Sequence, residues 1–283
     1  ILKKEIDLLL PHNKDSFFLL NLLGTFHARL QNYDDAIKFY KKAMVINPDS
    51  AQCHYNIGTT YLEIKKYQEA ITSLKCSIKI DDKNPEAYNN IANAYKSLGS
   101  HNEAITNFSK AIKLDQSHLK SIYNLAGSLK EIGKYNEAIK YYEKALIINP
   151  NYGVALNNLG LIYYDLGRLD DSIKCYKKAI KLNQLHAEPL NNLAIILQEQ
   201  GILGEARSNF RKAIDIKEDY AEAYRNLSII NRYSSDDPII NKMKNLFGKE
   251  ATNDNQKMHL GFALGKAFGD LKEYKESFSF FKK

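Results

Sequence analysis

Six asparagines stand in register along the chain: Asn56, Asn90, Asn124, Asn158, Asn192 and Asn226, each 34 residues after the last. An Asn side chain offers two donors and an acceptor without carrying charge. A ladder of them can grip the amides of an extended peptide with little regard for its sequence. It can equally bond to its own neighbours and hold a stack together. Asn costs roughly half a kcal/mol against Ala inside a helix, so six in register imply a compensating interaction. Both readings supply one.

Residues suited to covalent chemistry do not assemble in the sequence. The seven histidines are scattered, with no HExxH and no His/carboxylate metal spacing. His54 beside Cys53 reads as structural. Cys53, Cys76 and Cys175 form no CxxC pair and read as free thiols of a reducing compartment. Residues 261–266, GFALGK, fall one residue short of a phosphate-binding loop and read as packing. The acidic pairs Asp34–Asp35 and Asp170–Asp171 sit at turns or helix starts, where capping accounts for them. No catalytic residue, metal ligand or cofactor is expected.

What must position the asparagines is a repeat. A glycine or alanine recurs at Gly24, Gly58, Ala92, Ala126, Gly160 and Ala194. A second small residue follows at Ala36, Ala70, Ala104, Ala138, Ser172 and Ala206, and a third at Ala43, Ser77, Ala111, Ala145, Ala179 and Ala213. A bulky one stands between them: Tyr40, Leu74, Phe108, Tyr142, Tyr176 and Phe210. Helices approach closely only where side chains are small, and the bulky residue fills the gap beside them. One such helix pair cannot bury its apolar face alone, so several must stack. Each unit of 34 residues is expected to hold two helices, A and B, with turns at positions such as Gly99, Gly133, Gly167 and Gly201.

This pattern resembles the tetratricopeptide repeat from Phe17 to Tyr220. The stretch NLLGTFHARLQNYDDAIKFYKKAMVINP carries that family's glycine, alanine, aromatic and closing proline, Pro48. The Trp of many members is replaced by Leu20, His54, Tyr88, Ile122, Leu156 and Leu190. The resemblance implies an all-α fold, a right-handed superhelical solenoid of stacked antiparallel helix pairs. The expected repeats are 17–50, 51–84, 85–118, 119–152, 153–186 and 187–220, after a lead-in helix and loop over 1–16. A degenerate seventh spans 221–257, with Asp236 or Asp237 capping a helix at Pro238 that Gly248 ends, then a polar loop over 249–256. A truncated eighth runs from Met258, with Gly265, Ser277 and Phe281 in the small, small and bulky places. The chain reads as a piece of a longer protein.

The asparagine ladder is similar to that of O-linked N-acetylglucosamine transferase repeats, where the resemblance implies capture of a peptide backbone. In the family the A helices build the concave wall. That would put Tyr55, Asn89, Tyr123, Asn157, Asn191 and Arg225 beside the ladder. Lys96, Lys130, Tyr164, Gln198 and Arg232 would lie farther along, with Glu63, Glu86, Glu131, Asp165, Glu188 and Glu199 close by. Such a groove is mixed in charge and suits an extended polypeptide better than a phosphate backbone. The carboxylate clamp of tetratricopeptide co-chaperones is absent: Lys120 fits one of its places, but Asn124 stands where its Arg partner belongs.

The net charge is +7, yet Lys41, Lys42, Lys75, Lys110, Lys144, Lys177, Lys178, Arg211 and Lys212 fall on B helices and read as a solvated face. Nucleic-acid binding is the weaker alternative. No apolar run approaches the roughly 18 residues of a membrane span, so no membrane partner and a cytoplasmic location are expected. End-to-end self-association through an uncapped terminal repeat is a further expectation. Residues 222–281 also resemble the segment that ends the repeat array of bacterial tetratricopeptide-repeat sulfotransferases. There the array leads into a domain using 3′-phosphoadenylyl sulfate. The alternative reading is therefore the substrate-recruiting arm of a transferase.

Overall fold

The computed structural model describes residues 16–281, which hold sixteen α-helices and no strand. The expected lead-in, Ser16 apart, lies outside the described residues. Two compact units divide between Asn149 and Pro150.

In the first unit α1 (Phe17–Arg29) pairs with α2 (Tyr33–Ile46), α3 (Ala51–Glu63) with α4 (Tyr67–Ile80), α5 (Pro85–Ser97) with α6 (His101–Leu114), and α7 (Leu119–Glu131) with α8 (Tyr135–Ile148). Each pair packs on the next through its second helix, and the first helices touch in succession, α1 on α3, α3 on α5, α5 on α7. The second unit opens in the same way with α9 (Gly153–Asp165) on α10 (Leu169–Leu182) and α11 (Ala187–Glu199) on α12 (Leu203–Ile216).

The sequence explains the pairs one by one. A Cβ built on Gly24 would lie 2.5 Å from the Tyr40 ring, and one on Gly160 would lie 2.6 Å from Tyr176, so each glycine lets a helix seat against its partner's aromatic. Ala36, Ala70, Ala104, Ala138, Ser172 and Ala206 have no exposed surface at all. The turn within each pair passes through one residue of left-handed backbone, at Gln31, Lys65, Gly99, Gly133, Gly167 and Gly201. The second helices α2, α4, α6, α8, α10 and α12 carry no side-chain cap. Asp34, Asp35, Asp170 and Asp171 lie instead in the first turn, where they face the positive end of the helix dipole. Their role is electrostatic, a correction to the capping expected for them.

The pattern changes after α12. Helix α13 (Ala221–Ile230) stops after ten residues, where Asn231 turns extended. Arg232 therefore leaves the helix that was expected to carry it. Asp237 caps α14 (Pro238–Phe247) by accepting from Ile239 N at 3.1 Å, with Pro238 in the first turn. Gly248 ends α14 with φ of −81°, so its termination does not use glycine's left-handed freedom. Helix α13 packs on α15 (Asp254–Asp270), and α14 packs on α15 too. Helix α15 starts at Asp254, a turn ahead of Met258, because Asn253 and Gln256 cap each other's backbone N–H. Helix α16 (Tyr274–Phe281) then folds back on α15 with the contacts of the regular pairs. A Cβ on Gly265 would meet the Phe281 ring at 2.6 Å. Ser277 Oγ donates to Gly265 O at 2.7 Å, as Ser172 Oγ does to Gly160 O at 2.8 Å.

Candidate functional site

The ladder residues sit on first helices, and their amides point along the stack. Asn56 Nδ2 donates to Asn21 Oδ1 (3.1 Å), Asn90 Nδ2 to Tyr55 OH (3.3 Å), and Asn124 Nδ2 to Asn93 Oδ1 (3.1 Å) in the first unit. In the second unit Asn192 Nδ2 donates to Asn157 Oδ1 (3.0 Å) and Asn226 Nδ2 to Asn191 Oδ1 (3.1 Å). Each bond crosses from one first helix to the one before it. The amides form a polar zipper along each unit.

Accessibility separates residues that are neighbours in sequence. Asn56, Asn90, Asn124, Asn158 and Asn192 are half-buried. Asn89, Asn157 and Asn191 are 2%, 7% and 0% exposed. These three, expected to line a groove, lie between helices as acceptors and bridges. Ser121 Oγ donates to Asn89 Oδ1 at 3.1 Å, and Asn89 Nδ2 donates to Asn90 Oδ1 at 3.3 Å. Asn226 is also buried, 7% exposed. One committed hydrogen leaves a half-buried Asn a second N–H and oxygen lone pairs. Among the described residues Asn124 Oδ1 accepts no hydrogen bond.

The aromatic residues are tied into the same face. Tyr55 and Tyr123 are half-buried. Burial pushes the Tyr55 hydroxyl above its usual range, and the bond from Asn90 partly offsets this. Tyr123 meets Tyr142 edge to face at 5.7 Å between centroids. Tyr164 OH donates to the Glu199 carboxylate, which pushes the phenol up to about 12. Arg225 stacks over the Phe262 ring at 5.3 Å. Lys120 pairs with Glu86 at 3.4 Å, and His118 reaches the same carboxylate at 3.3 Å. Cys53 is wholly buried, and its thiol reaches Asn21 Oδ1 at 3.5 Å; His54 Nε2 lies 3.1 Å from Pro48 O.

Asn21 and Asn93 complete the zipper and were not among the expected site residues. Asn21 was readable, since it stands 34 residues before Tyr55. Asn93 was not. Asn124 reaches it because Asn89, the acceptor at the usual offset, is held by Ser121 and Asn90. Among the described residues no cluster of His, Cys, Asp or Glu could hold a metal ion, and no helix is long and apolar enough to cross a membrane.

A tetratricopeptide-repeat profile matches residues 15–83, 117–184 and 151–219, and a second profile of the same description matches 85–118. The chain belongs to the tetratricopeptide-repeat family. Solved structures of this family resemble it. A MamA protein is 28% identical and covers 59% of this chain and 92% of its own, at a TM-score of 0.56. MamA from Desulfovibrio magneticus RS-1 is 24% identical, covering 60% and 96%, at a TM-score of 0.56. YrrB, a tetratricopeptide-repeat protein with an unusual peptide-binding site, is 18% identical and covers 65% and 95%, at a TM-score of 0.57. No curated protein matches the chain. The tetratricopeptide hairpins thus account for the zipper's period: each of the second to seventh repeats contributes one first helix and one ladder asparagine.

Proposed function

We propose that this protein is a non-catalytic scaffold that binds an extended peptide or protein segment on its first helices. The observation carrying this reading is the half-buried position of Asn56, Asn90 and Asn124 in one unit and of Asn158 and Asn192 in the other, where the asparagines beside them are buried. A bond to the preceding helix fixes the rotamer of Asn56, Asn90, Asn124 and Asn192. Fixing the amide beforehand removes an entropy cost from binding. Stack stabilisation and peptide capture then use different hydrogens of the same side chain. The mixed charge of the face, with Lys96 and Lys130 near Glu131 and Tyr164 bonded to Glu199, favours a polypeptide over nucleic acid. YrrB illustrates that the fold can host a peptide-binding site.

A second reading, the recruiting arm of a transferase, is favoured by residues 222–281, where α13 is shortened and α14 intervenes before the next pair. Sulfate transfer from 3′-phosphoadenylyl sulfate by the full gene product would support it, and its absence would count against it.

The test of the first reading is binding to a peptide array at two salt concentrations, for the native protein and for Asn124→Ala, Asn192→Ala and Asn226→Ala. Asn124→Ala and Asn192→Ala should lose salt-tolerant binding while the circular dichroism spectrum is kept. Asn226→Ala, at a buried rung, should cost about 1 kcal/mol of stability and leave binding in place. Unchanged binding in the first two variants would reduce the ladder to a structural zipper.

A further inference from the structure

Lys96 on α5 is half-buried, yet its ammonium has no hydrogen bond and no ion pair among the described residues. It lies against α7 at Gly127, where a Cβ would come 3.5 Å from Lys96 Nζ and 3.6 Å from Tyr142 OH. At the same register the first helices α1, α3, α5, α9, α11 and α13 carry Thr25, Thr59, Asn93, Leu161, Ile195 and Ile229. Only α7 leaves the place bare, although Gly inside a helix costs roughly 1 kcal/mol against Ala. The spacing at Gly127 would accept an alanine, so helix packing does not demand the glycine. A side chain longer than alanine's at this place would displace the ammonium from the helix surface.

The second unit supplies a control. Tyr164 stands at the register of Lys96 and Lys130, and it bonds Glu199 on the next first helix. The corresponding acid for Lys96 is Glu131, but that carboxylate sits 3.7 Å from Lys130 Nζ. Two ammonium groups thus share one half-exposed carboxylate, and Lys96 is the one left over. Burial holds the Lys96 ammonium below its usual range, with Lys130 adding to the depression and Glu131 opposing it. Buried charges are ordinarily paired, because desolvation is otherwise uncompensated. The bond from Asn124 Nδ2 to Asn93 Oδ1 puts an amide of the ladder on the same pair of helices.

We propose that Lys96, seated over Gly127 beside Lys130, is a specificity subsite for the side-chain carboxylate of an Asp or Glu in the bound peptide. This inference rests on the peptide-binding reading above. It adds a sequence preference to a ladder that has none of its own.

The probes are C-terminally amidated decapeptides from the array binders, each synthesised as a Glu form and a Gln twin, so that no tail carboxylate contributes. The native protein should prefer the Glu member by roughly tenfold, the scale of a charge-assisted hydrogen bond. Lys96→Met should abolish that preference while holding or raising the melting temperature, since it removes an unpaired half-buried cation. Gly127→Leu should abolish it by lifting the ammonium away. Equal binding of the twins by native protein, or a preference that survives in Lys96→Met, overturns the subsite but leaves peptide capture standing. A melting temperature that falls in Lys96→Met makes the lysine structural and also overturns it. If no decapeptide binds, the peptide-binding reading fails and the subsite fails with it.

Discussion

The pairs α9–α10 and α15–α16 carry the same internal contacts, but they are out of phase in the chain. Counting by 34 from Gly160 passes through Ala194 and Ser228 to Phe262, whereas the seated glycine is Gly265, three residues later. Between them α13 is cut short and α14 is added. Even so, the turn at Lys272, the serine at Ser277 and the ring at Phe281 follow Gly265 at the offsets with which Gly167, Ser172 and Tyr176 follow Gly160. The rule that survives is the internal geometry of one hairpin. The period between hairpins is a consequence of repeating it without interruption. What differs is the cover: Tyr176 is 1% exposed and Phe281 is 54% exposed.

That difference gives the largest expected effect. Gly160→Leu should cost about 3 kcal/mol, because Tyr176 is enclosed and cannot yield. Gly265→Leu should cost less than about 1 kcal/mol, since the Phe281 ring can swing outward. Urea unfolding midpoints would rank them. Equal costs would mean that α15–α16 is as tightly enclosed as α9–α10.

A smaller effect is expected where the phase is broken. Asp237 caps α14, accepts from Asn231 Nδ2 at 3.4 Å and pairs with Arg211 at 3.2 Å. Asp237→Ala should cost about 2 kcal/mol. The loss should raise amide hydrogen exchange across α13 and α14 while leaving α1–α8 protected. Uniform exchange in all helices would show that the junction is not a separate element.

The turns offer a gain. Lys65 (φ 59°) and Lys272 (φ 64°) hold backbone that glycine takes at Gly99, Gly133, Gly167 and Gly201. Replacing either lysine by Gly should stabilise by about 1 kcal/mol, the strain of a left-handed L-residue. A loss of stability in Lys272→Gly alone would separate the terminal turn from the regular ones.

The smallest effect is a titration. The Glu199 carboxylate raises Tyr164 to about 12 from an ordinary 10. A phenol held protonated in the folded state contributes stability below pH 10, and that contribution fades as pH rises from 10 toward 12. The ultraviolet phenolate signal of native protein minus that of Tyr164→Phe should show one group titrating near 12. A difference signal centred at 10 would mean the bond to Glu199 is not kept in solution.

Much of this was legible because it is local. Small, turn, small and bulky places lie within one hairpin of chain, and each states a steric requirement that side-chain size alone can express. The start of α15 was missed by a turn because reciprocal capping by Asn253 and Gln256 outweighs the polar look of that segment. The pairing of α13 with α15 was not legible, since nothing in the chain near Ala221 marks a partner across an intervening helix.

The sequence by itself determined the fold family, the period, the helix pairs and the positions of the ladder. Only the tertiary structure decided which asparagine of each adjacent pair is buried and which is half-buried. Asn89 and Asn90 are the same residue type one position apart, roughly 100° around a helix. Asn89 is 2% exposed, with Ser121 of the following first helix on its oxygen, while Asn90 is half-buried. Likewise the type of Lys96 was plain from the start, but its lack of an ion partner was not. Glu131 is held by its chain neighbour Lys130, and only the packing of α5 on α7 lays the Lys96 ammonium over Gly127.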